Sequence, residues 1–295
     1  MKTKVYNSDT LYFLIAYLLI GILTILVLYP MIYIISSSFS TASAVTAGKV
    51  WLLPIEPTLF NFKMVLQYKS IWIGYRNTIF YVVCGTSINV FMTLICAYPL
   101  SRKGLYGRGF FTFIFTFTMI FSGGMIPNYI LMRNLGMLNT VFAMLLPGAI
   151  SVYNMIVTRT FFQASVPGEL LEASKLDGCS DTQYFFHVLI PLSNSIIAVI
   201  ALFYAVGHWN SYFNAFLYLS NKQLYPLQLF LREILVQNQF NSDIMTDPDV
   251  AQQLLGIQNT LKFAIIILST VPLMCLYPFA QKHFVKGVMI GSLKG

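Results

Sequence analysis

Six runs in this chain are each about as long and as apolar as a helix must be to cross a bilayer, and they leave the polypeptide few other ways to fold. A spanning helix needs about 20 predominantly apolar residues, and the runs lie at Leu11 to Ile35, Ile71 to Tyr98, Phe110 to Ile130, Leu138 to Phe162, Ile196 to Leu219 and Leu261 to Ala280. Internal residues such as Pro30, Pro127 and Pro147 are compatible with this, because neighbouring helices can satisfy the freed backbone groups. Composition agrees: 57% of residues are hydrophobic and 9% charged, whereas soluble domains carry about 25% charge. The expectation is an all-α integral membrane protein, a single multi-pass domain over 1–295. The polar start, Met1 to Thr10, precedes a run far longer than a signal-peptide core and reads as leading into a retained transmembrane helix.

The net charge of +8 calls first for lysines and arginines at cytoplasmic helix ends, not for nucleic acid. Ser101-Arg102-Lys103-Gly104-Leu105-Tyr106-Gly107-Arg108 packs three cations into the shortest loop, between the second and third runs, which places that loop in the cytoplasm. Both termini then fall inside, with Lys2, Lys4, Arg159, Lys282 and Lys286 in agreement. Two long connections, from about Ser36 to Ser70 and over 220–260, fall outside. The second continues from Asn221 as an amphipathic surface helix to Ile234, and its acidic stretch Asp243 to Val250 reads as an exposed turn. Cys84, Cys96, Cys179 and Cys275 are widely separated, with no metal or disulfide spacing.

Between the fourth and fifth runs lies a charged island. Glu169, Glu172, Asp177 and Asp181 are four of the ten carboxylates of the chain. Pro167 suits the start of a helix, and Glu169 and Glu172 sit near the positive end of its dipole. Gly178, directly after Asp177, can take the left-handed conformation that closes the helix, and Ser180 or Asp181 can cap a second one ending before Pro191. The product is a helix-turn-helix knob over 165–191, too polar for lipid.

The run Glu172-Ala173-Ser174, three residues, Gly178, nine residues, then Val188-Leu189-Ile190-Pro191 resembles the "EAA" loop of ATP-binding-cassette importer permeases, EAA, three residues, G, nine residues, IxLP. Ser174, Val188 and Ile190 depart from it conservatively. The C-terminal tail over 281–295 has glycines that argue against a stable helix, and its Gly287, Gly291, Lys294 and Gly295 resemble the terminus of maltose-type carbohydrate permeases. Along nearly its whole length the chain resembles that family, and most closely its LplC/YtcP-like oligosaccharide subgroup. The resemblance implies a type I importer permease (MetI-like) fold with six transmembrane helices in a bacterial cell membrane. It implies an ATPase-coupling set of Glu169, Glu172, Ala173, Ser174, Asp177, Gly178 and Pro191, with the tail glycines and Lys294 entering the cleft between ATPase subunits. It also implies a second homologous permease, two ATPase subunits using ATP and Mg, an extracellular lipid-anchored or periplasmic solute-binding protein and an oligosaccharide cargo.

Beside the resemblance, no catalytic or metal constellation is visible, and no G-xxxx-G-K-[ST] phosphate loop is present. The chain is expected to hold no cofactor and to need an external energy source. The fifth run reads Gly207-His208-Trp209-Asn210-Ser211-Tyr212-Phe213-Asn214, and polar residues at membrane depth face the bundle interior. Helical spacing would put Asn210 and Asn214 on one face, with Trp209 and Tyr212 near them and Asn128, Tyr153 and Asn154 joining from other runs to line a substrate path. Interhelical hydrogen bonding is the alternative use of such groups. A membrane-embedded enzyme acting on lipid-linked sugars would need carboxylates or metal ligands gathered at a membrane face, and the knob is the one such cluster. A scaffold without a pathway leaves the polar fifth run unexplained, and permeases for peptides or amino acids are the nearer competitors.

Overall fold

The computed structural model describes residues 7–237 and 260–275. Its helices are α1 (Asn7–Ser38), α2 (Ala42–Thr46), α3 (Phe60–Gln67), α4 (Lys69–Ser101), α5 (Arg108–Ile120), α6 (Met125–Asn134), α7 (Phe142–Leu145), α8 (Val152–Ser165), α9 (Gly168–Leu176), α10 (Asp181–Tyr184), α11 (Ile190–Leu192), α12 (Asn194–Trp209), α13 (Tyr212–Tyr218), α14 (Leu227–Gln237) and α15 (Thr260–Cys275). No strand occurs among the described residues. The chain divides into two compact units, one of residues 1–69 and 233–270, the other of 70–232 and 271–295.

In the first unit α1 is apolar on every side, and its side chains from Leu11 to Met31 are largely uncovered, Ile25 being 69% exposed. Such a surface belongs against lipid or another subunit. Its C-terminal end is different. Ser36, Ser37, Ser38 and Ser40 are buried: Ser36 Oγ donates to Leu52 O at 2.6 Å, Asn61 Nδ2 donates to Ser38 O and Ser40 O at 3.1 and 3.0 Å, and Thr260 Oγ1 donates to Asn61 Oδ1 at 3.3 Å. These bonds hold α1, α3 and the start of α15 together.

The second unit is built on α4. Its buried stripe runs Ile71, Gly74, Thr78, Tyr81, Gly85, Asn89, Thr93, Ala97, Leu100, a three-to-four-residue spacing that marks one helix face. Most of these residues are small or polar, which lets other backbones approach closely where lipid offers no hydrophobic drive. At one end of α4, Asn77 Nδ2 donates to Gln223 O and Tyr225 O at 2.7 and 3.0 Å, Tyr81 Oη donates to Leu224 O at 2.8 Å, and Leu227 N donates to Thr78 Oγ1 at 2.8 Å. At the other end, Leu94, Ala97 and Leu100 pack in one cluster with Met155, Phe162, Tyr184, Phe185, Leu189 and Ile200. A helix of 33 residues spans about 50 Å, so the 222–227 turn and the knob lie at opposite ends of it.

The expected spans hold in part. The first and second match α1 and α4, the two helices among the described residues that are long and apolar enough to cross a membrane unaided. The third is not one straight helix: α5 and α6 meet at 112°. Ser122-Gly123-Gly124 makes the turn, Gly124 has φ +85°, and Pro127 is tolerated within the first turn of α6, where N–H groups lack partners. The fourth is interrupted at Pro147-Gly148, with Gly148 at φ +75°, leaving α7 and the 14-residue α8. The fifth stops at Trp209 and restarts at Tyr212, so Asn210 and Asn214 do not share one continuous helix. The sixth is represented by α15, its remainder lying outside the described residues. Counting each bent pair as one span gives up to four, and with α8 and α15 the arrangement is consistent with six. The surface helix expected after Asn221 is a short turn followed by α14, whose Leu227, Leu229, Phe230 and Leu231 are buried. The acidic stretch 243–250 and the tail 281–295 lie outside the described residues.

Candidate functional site

The knob forms as its sequence dictates. α9 begins after Pro167 with Glu169 in its first turn. It ends in a Schellman arrangement: Gly178 takes φ +79°, Cys179 N donates to Ser174 O at 2.9 Å and Gly178 N donates to Lys175 O at 3.1 Å. Ser180 then starts α10 with a capping box, Gln183 N donating to Ser180 Oγ at 3.2 Å and Ser180 N to Gln183 Oε1 at 2.9 Å. A single π turn over Phe185–Leu189 follows. Pro191 accounts for it, because its ring cannot sit beneath the carbonyl of His187 and the preceding turn widens. The chain bends by 81° between this segment and α12.

One side of the knob is anchored and the other is bare. Tyr184, Phe185 and Leu189 are buried, with Leu171 against the same cluster of α4, α8 and α12 side chains. Taken out of water, each such side chain contributes about 1.5–3 kcal/mol. Glu169, Glu172, Ala173, Asp177 and Gly178 face outward, Leu176 is 90% exposed and Pro191 is exposed. Leu170, Ala173 and Leu176 recur every three residues, so the outward face carries a small apolar stripe beside its carboxylates. Lys175 Nζ approaches Asp181 Oδ1 at 4.0 Å across the turn, a separation worth at most a few tenths of a kcal/mol in solvent. The Ser101–Arg108 loop sits at the same end of this unit: Gln163 Nε2 donates to Ser101 O at 3.3 Å. Arg102 lies over the rings of Tyr98 and Tyr184, 4.6 and 4.9 Å from their centroids.

The residues expected to line a substrate path are distributed more widely. Asn128 on α6, Tyr153 on α8, Asn210, and Tyr212 and Asn214 on α13 are exposed, whereas Asn154 and Trp209 are buried. α6 and α13 are neighbours, with Tyr129 and Tyr218 stacked at 6.4 Å. Asn139, at φ +58°, ties the loop after α6 to the end of α13: its N–H donates to Tyr218 O at 2.8 Å and its Oδ1 accepts from Ser220 N and Asn221 N at 3.1 and 2.8 Å. The polar stretch of the fifth run partly serves the helix break. Asn210 Nδ2 donates to Val206 O at 3.0 Å and Ser211 Oγ to His208 O at 2.6 Å, so these side chains compete with the helical ladder where it ends.

A polar seam that sequence reasoning missed joins α4, α12 and the α7–α8 loop. His208 Nε2 and Asn89 Oδ1 are 2.6 Å apart, and Asn89 Nδ2 donates to Gly148 O and Ala149 O at 3.1 and 2.9 Å. Thr93 Oγ1 and Tyr204 Oη are 2.7 Å apart, and that phenol oxygen also accepts from Ser151 N at 3.0 Å. Around the Pro147 break, Asn89 of α4 thus satisfies two backbone carbonyls and Tyr204 of α12 satisfies one backbone N–H. The available signal was a pair of four-residue spacings, Gly85-Asn89-Thr93 and Tyr204-His208.

Long apolar helices, a polar knob anchored at one end and a polar seam through the middle are the architecture of a membrane transport component. The chain matches the family described as "binding-protein-dependent transport system inner membrane component" over residues 89–290. It belongs to that family. It is 39% identical to the Protein LplC of Bacillus subtilis (strain 168), over 94% of this chain and 91% of that protein. It is 37% identical to the polygalacturonan/rhamnogalacturonan transport system permease protein YtcP of the same organism, over the full length of both. A chain in the crystal structure of a bacterial ABC transporter involved in the import of the acidic polysaccharide alginate superposes with a TM-score of 0.86 at 36% identity, covering 96% of this chain and 100% of that one. The protein is therefore a multi-pass, all-helical ABC importer permease of the MetI-like fold.

Proposed function

We propose that this chain is half of the translocation pathway of an ATP-driven, binding-protein-dependent importer of oligosaccharides, and that the knob is its mechanical link to ATPase subunits. The knob carries the reading: its carboxylates and Leu176 face outward, while Tyr184, Phe185 and Leu189 are keyed into α4, α8 and α12. A partner that moves the outward face therefore moves the helices behind it. Such a partner shifts the bundle only if it contacts two bundle states differently. In this role Glu172 offers a charge-assisted hydrogen bond to a cation of the ATPase, with Glu169 and Asp177 beside it, and Gly178 sets the angle of the turn. Ala173 and Ser174 keep the docking face narrow, Pro191 sets the exit toward α12, and Gly287, Gly291, Lys294 and Gly295 reach the ATPase cleft. ATP and Mg belong to those partners.

The remaining members are a second homologous permease and an extracellular solute-binding lipoprotein. The knob and the cationic Ser101–Arg108 loop face the cytoplasm with both termini, and the 220–260 connection, whose 222–227 turn lies at the other end of α4, faces the binding protein. Asn128, Tyr153, Asn154, Trp209, Asn210, Tyr212 and Asn214 contribute to the sugar path, α6 and α13 being adjacent. Two relatives are named for polyuronate or acidic polysaccharide transport, so acidic oligosaccharides are the first cargo to test. The test is uptake of labelled oligogalacturonate, oligoalginate and neutral arabino- and galacto-oligosaccharides by cells with and without this chain. Loss of uptake of one class on deletion, restored by the gene, is the expected result. Unchanged uptake of every sugar, with uptake of peptides or amino acids lost instead, would refute the carbohydrate assignment.

A further inference from the structure

A cavity of about 850 Å³ lies between the Ser101–Arg108 loop and α9, and the coupling role leaves it unused. Its charged lining is Arg102, Lys103, Arg108 and Lys175 against Glu172 and Asp181. Asp181 already faces Lys175 at 4.0 Å. The Arg102 guanidinium, held over two tyrosine rings, has Nε and Nη2 shielded from water with no hydrogen-bond partner. Arg159 Nε, on the neighbouring α8, is likewise buried without a partner. A buried cation without a counter-charge is costly. Here the half-buried Arg102 and Arg108 share one hollow with the exposed Lys103 and Lys175, and Glu172 is the lining carboxylate that makes no ion pair with them. The N-terminus of α9 has no side-chain cap, and Gly168, which also lines the cavity, leaves open space where a Cβ would stand. The lining therefore carries four cations against two carboxylates, an excess of positive charge.

Guanidinium groups match the oxygen geometry of phosphate, and basic pockets between transmembrane helices at the cytoplasmic surface suit phosphate-bearing headgroups. The lipid surface begins beside this one. α5 starts at Arg108 and presents Phe110 and Phe113 to the exterior, 65% and 64% exposed. We propose that the cavity binds an anionic phosphate group, carried by an anionic phospholipid headgroup or free in solution. A phosphate seated there bridges the α4–α5 loop to the start of α9 and fixes the knob against the end of α4. The cytoplasmic position follows from the orientation proposed above, but binding itself does not depend on transport.

The test uses the purified importer complex in detergent, titrated separately with dihexanoyl phosphatidylglycerol, dihexanoyl phosphatidylcholine and inorganic phosphate, with the unfolding midpoint as readout. Phosphatidylglycerol is expected to raise the midpoint at concentrations at least tenfold below phosphatidylcholine, whose own ammonium neutralises its phosphate. Near a membrane surface each cation changes binding about fivefold, so Lys103→Gln with Arg108→Gln should weaken phosphatidylglycerol about 30-fold. The charge-conserving pair Lys103→Arg with Arg108→Lys should stay within about fivefold of wild type, separating lost charge from lost fold. A response to inorganic phosphate as strong as to phosphatidylglycerol identifies a free phosphate as the ligand, and a response to the lipid alone identifies the headgroup. Equal responses to the two lipids, or an unchanged response in the double glutamine variant, would overturn the proposal. Because no ATP is hydrolysed in this assay, its failure leaves the coupling role of the knob standing, and the reverse.

Discussion

Gly85→Ala tests the polar seam through a single added methyl group. A Cβ at Gly85 would stand 2.3, 2.4 and 2.8 Å from Nε2, Cε1 and Cδ2 of His208, distances no side chain tolerates. The ring is the far end of a side chain and can swing aside, but it is half-buried and bonded to Asn89 at 2.6 Å. Moving it therefore forfeits that bond and leaves a buried amide oxygen unpaired, a loss of about 1–3 kcal/mol. The helix propensity of alanine returns up to about 1 kcal/mol. By the scaling of soluble domains, of order 2–4 °C per kcal/mol, the detergent-solubilised protein should lose several degrees of thermal midpoint. The decisive comparison is a double-mutant cycle with His208→Ala. In that background the alanine enters the space the ring has left, so Gly85→Ala should be neutral or stabilising, with a coupling energy of about 1–3 kcal/mol. If Gly85→Ala costs the same in both backgrounds, within about 0.5 kcal/mol, the seam does not hold α4 to α12 as described.

Gly74→Ala should be harder to accommodate. Its Cβ would stand 2.9 Å from Leu227 Cα and 3.2 Å from Leu227 N, backbone that also donates to Thr78 Oγ1, so a loss of about 1–3 kcal/mol should appear as a lower midpoint that shortening Phe230 does not rescue. Gly178→Ala places a side chain at φ +79°, costing about 1–2 kcal/mol and reducing sugar-stimulated ATP hydrolysis, while Gly178→Asn, which tolerates that conformation better, should be milder in both assays. Ser180→Ala removes one half of the capping box and should cost about 1 kcal/mol, measured by thermal unfolding, with Ser180→Thr close to wild type.

Local chemistry was the most legible part of the sequence. The start of α9 after Pro167, the left-handed turn at Gly178 and the Ser180 cap follow from residues that satisfy backbone groups within a few positions, where context has little power to override them. The long spans α1 and α4 were legible because twenty-odd apolar residues have one low-energy arrangement in lipid. Direction was not. Hydropathy counts residues and carries no angle, so the 112° turn at Ser122-Gly123-Gly124 and the breaks at Pro147-Gly148 and Asn210-Ser211 were hidden inside runs of adequate length. Asn210 and Asn214 do not share one helix face because helical periodicity cannot be extended through a break that the Asn210 and Ser211 side chains help to make. His208 looked isolated in sequence because its partner Asn89 is 119 residues away.

The central claim, that this permease is driven through its knob, is tested most directly by ATP hydrolysis in the lipid-reconstituted complex co-purified with this chain. The measurement compares binding protein loaded with oligosaccharide against unloaded protein, for wild type and Glu172→Ala. The account predicts that the loaded binding protein stimulates the wild-type complex, and that Glu172→Ala loses most of the stimulation while the subunits still co-purify. Equal stimulation of the Glu172→Ala complex, or a chain that purifies with no ATPase at all, would contradict it.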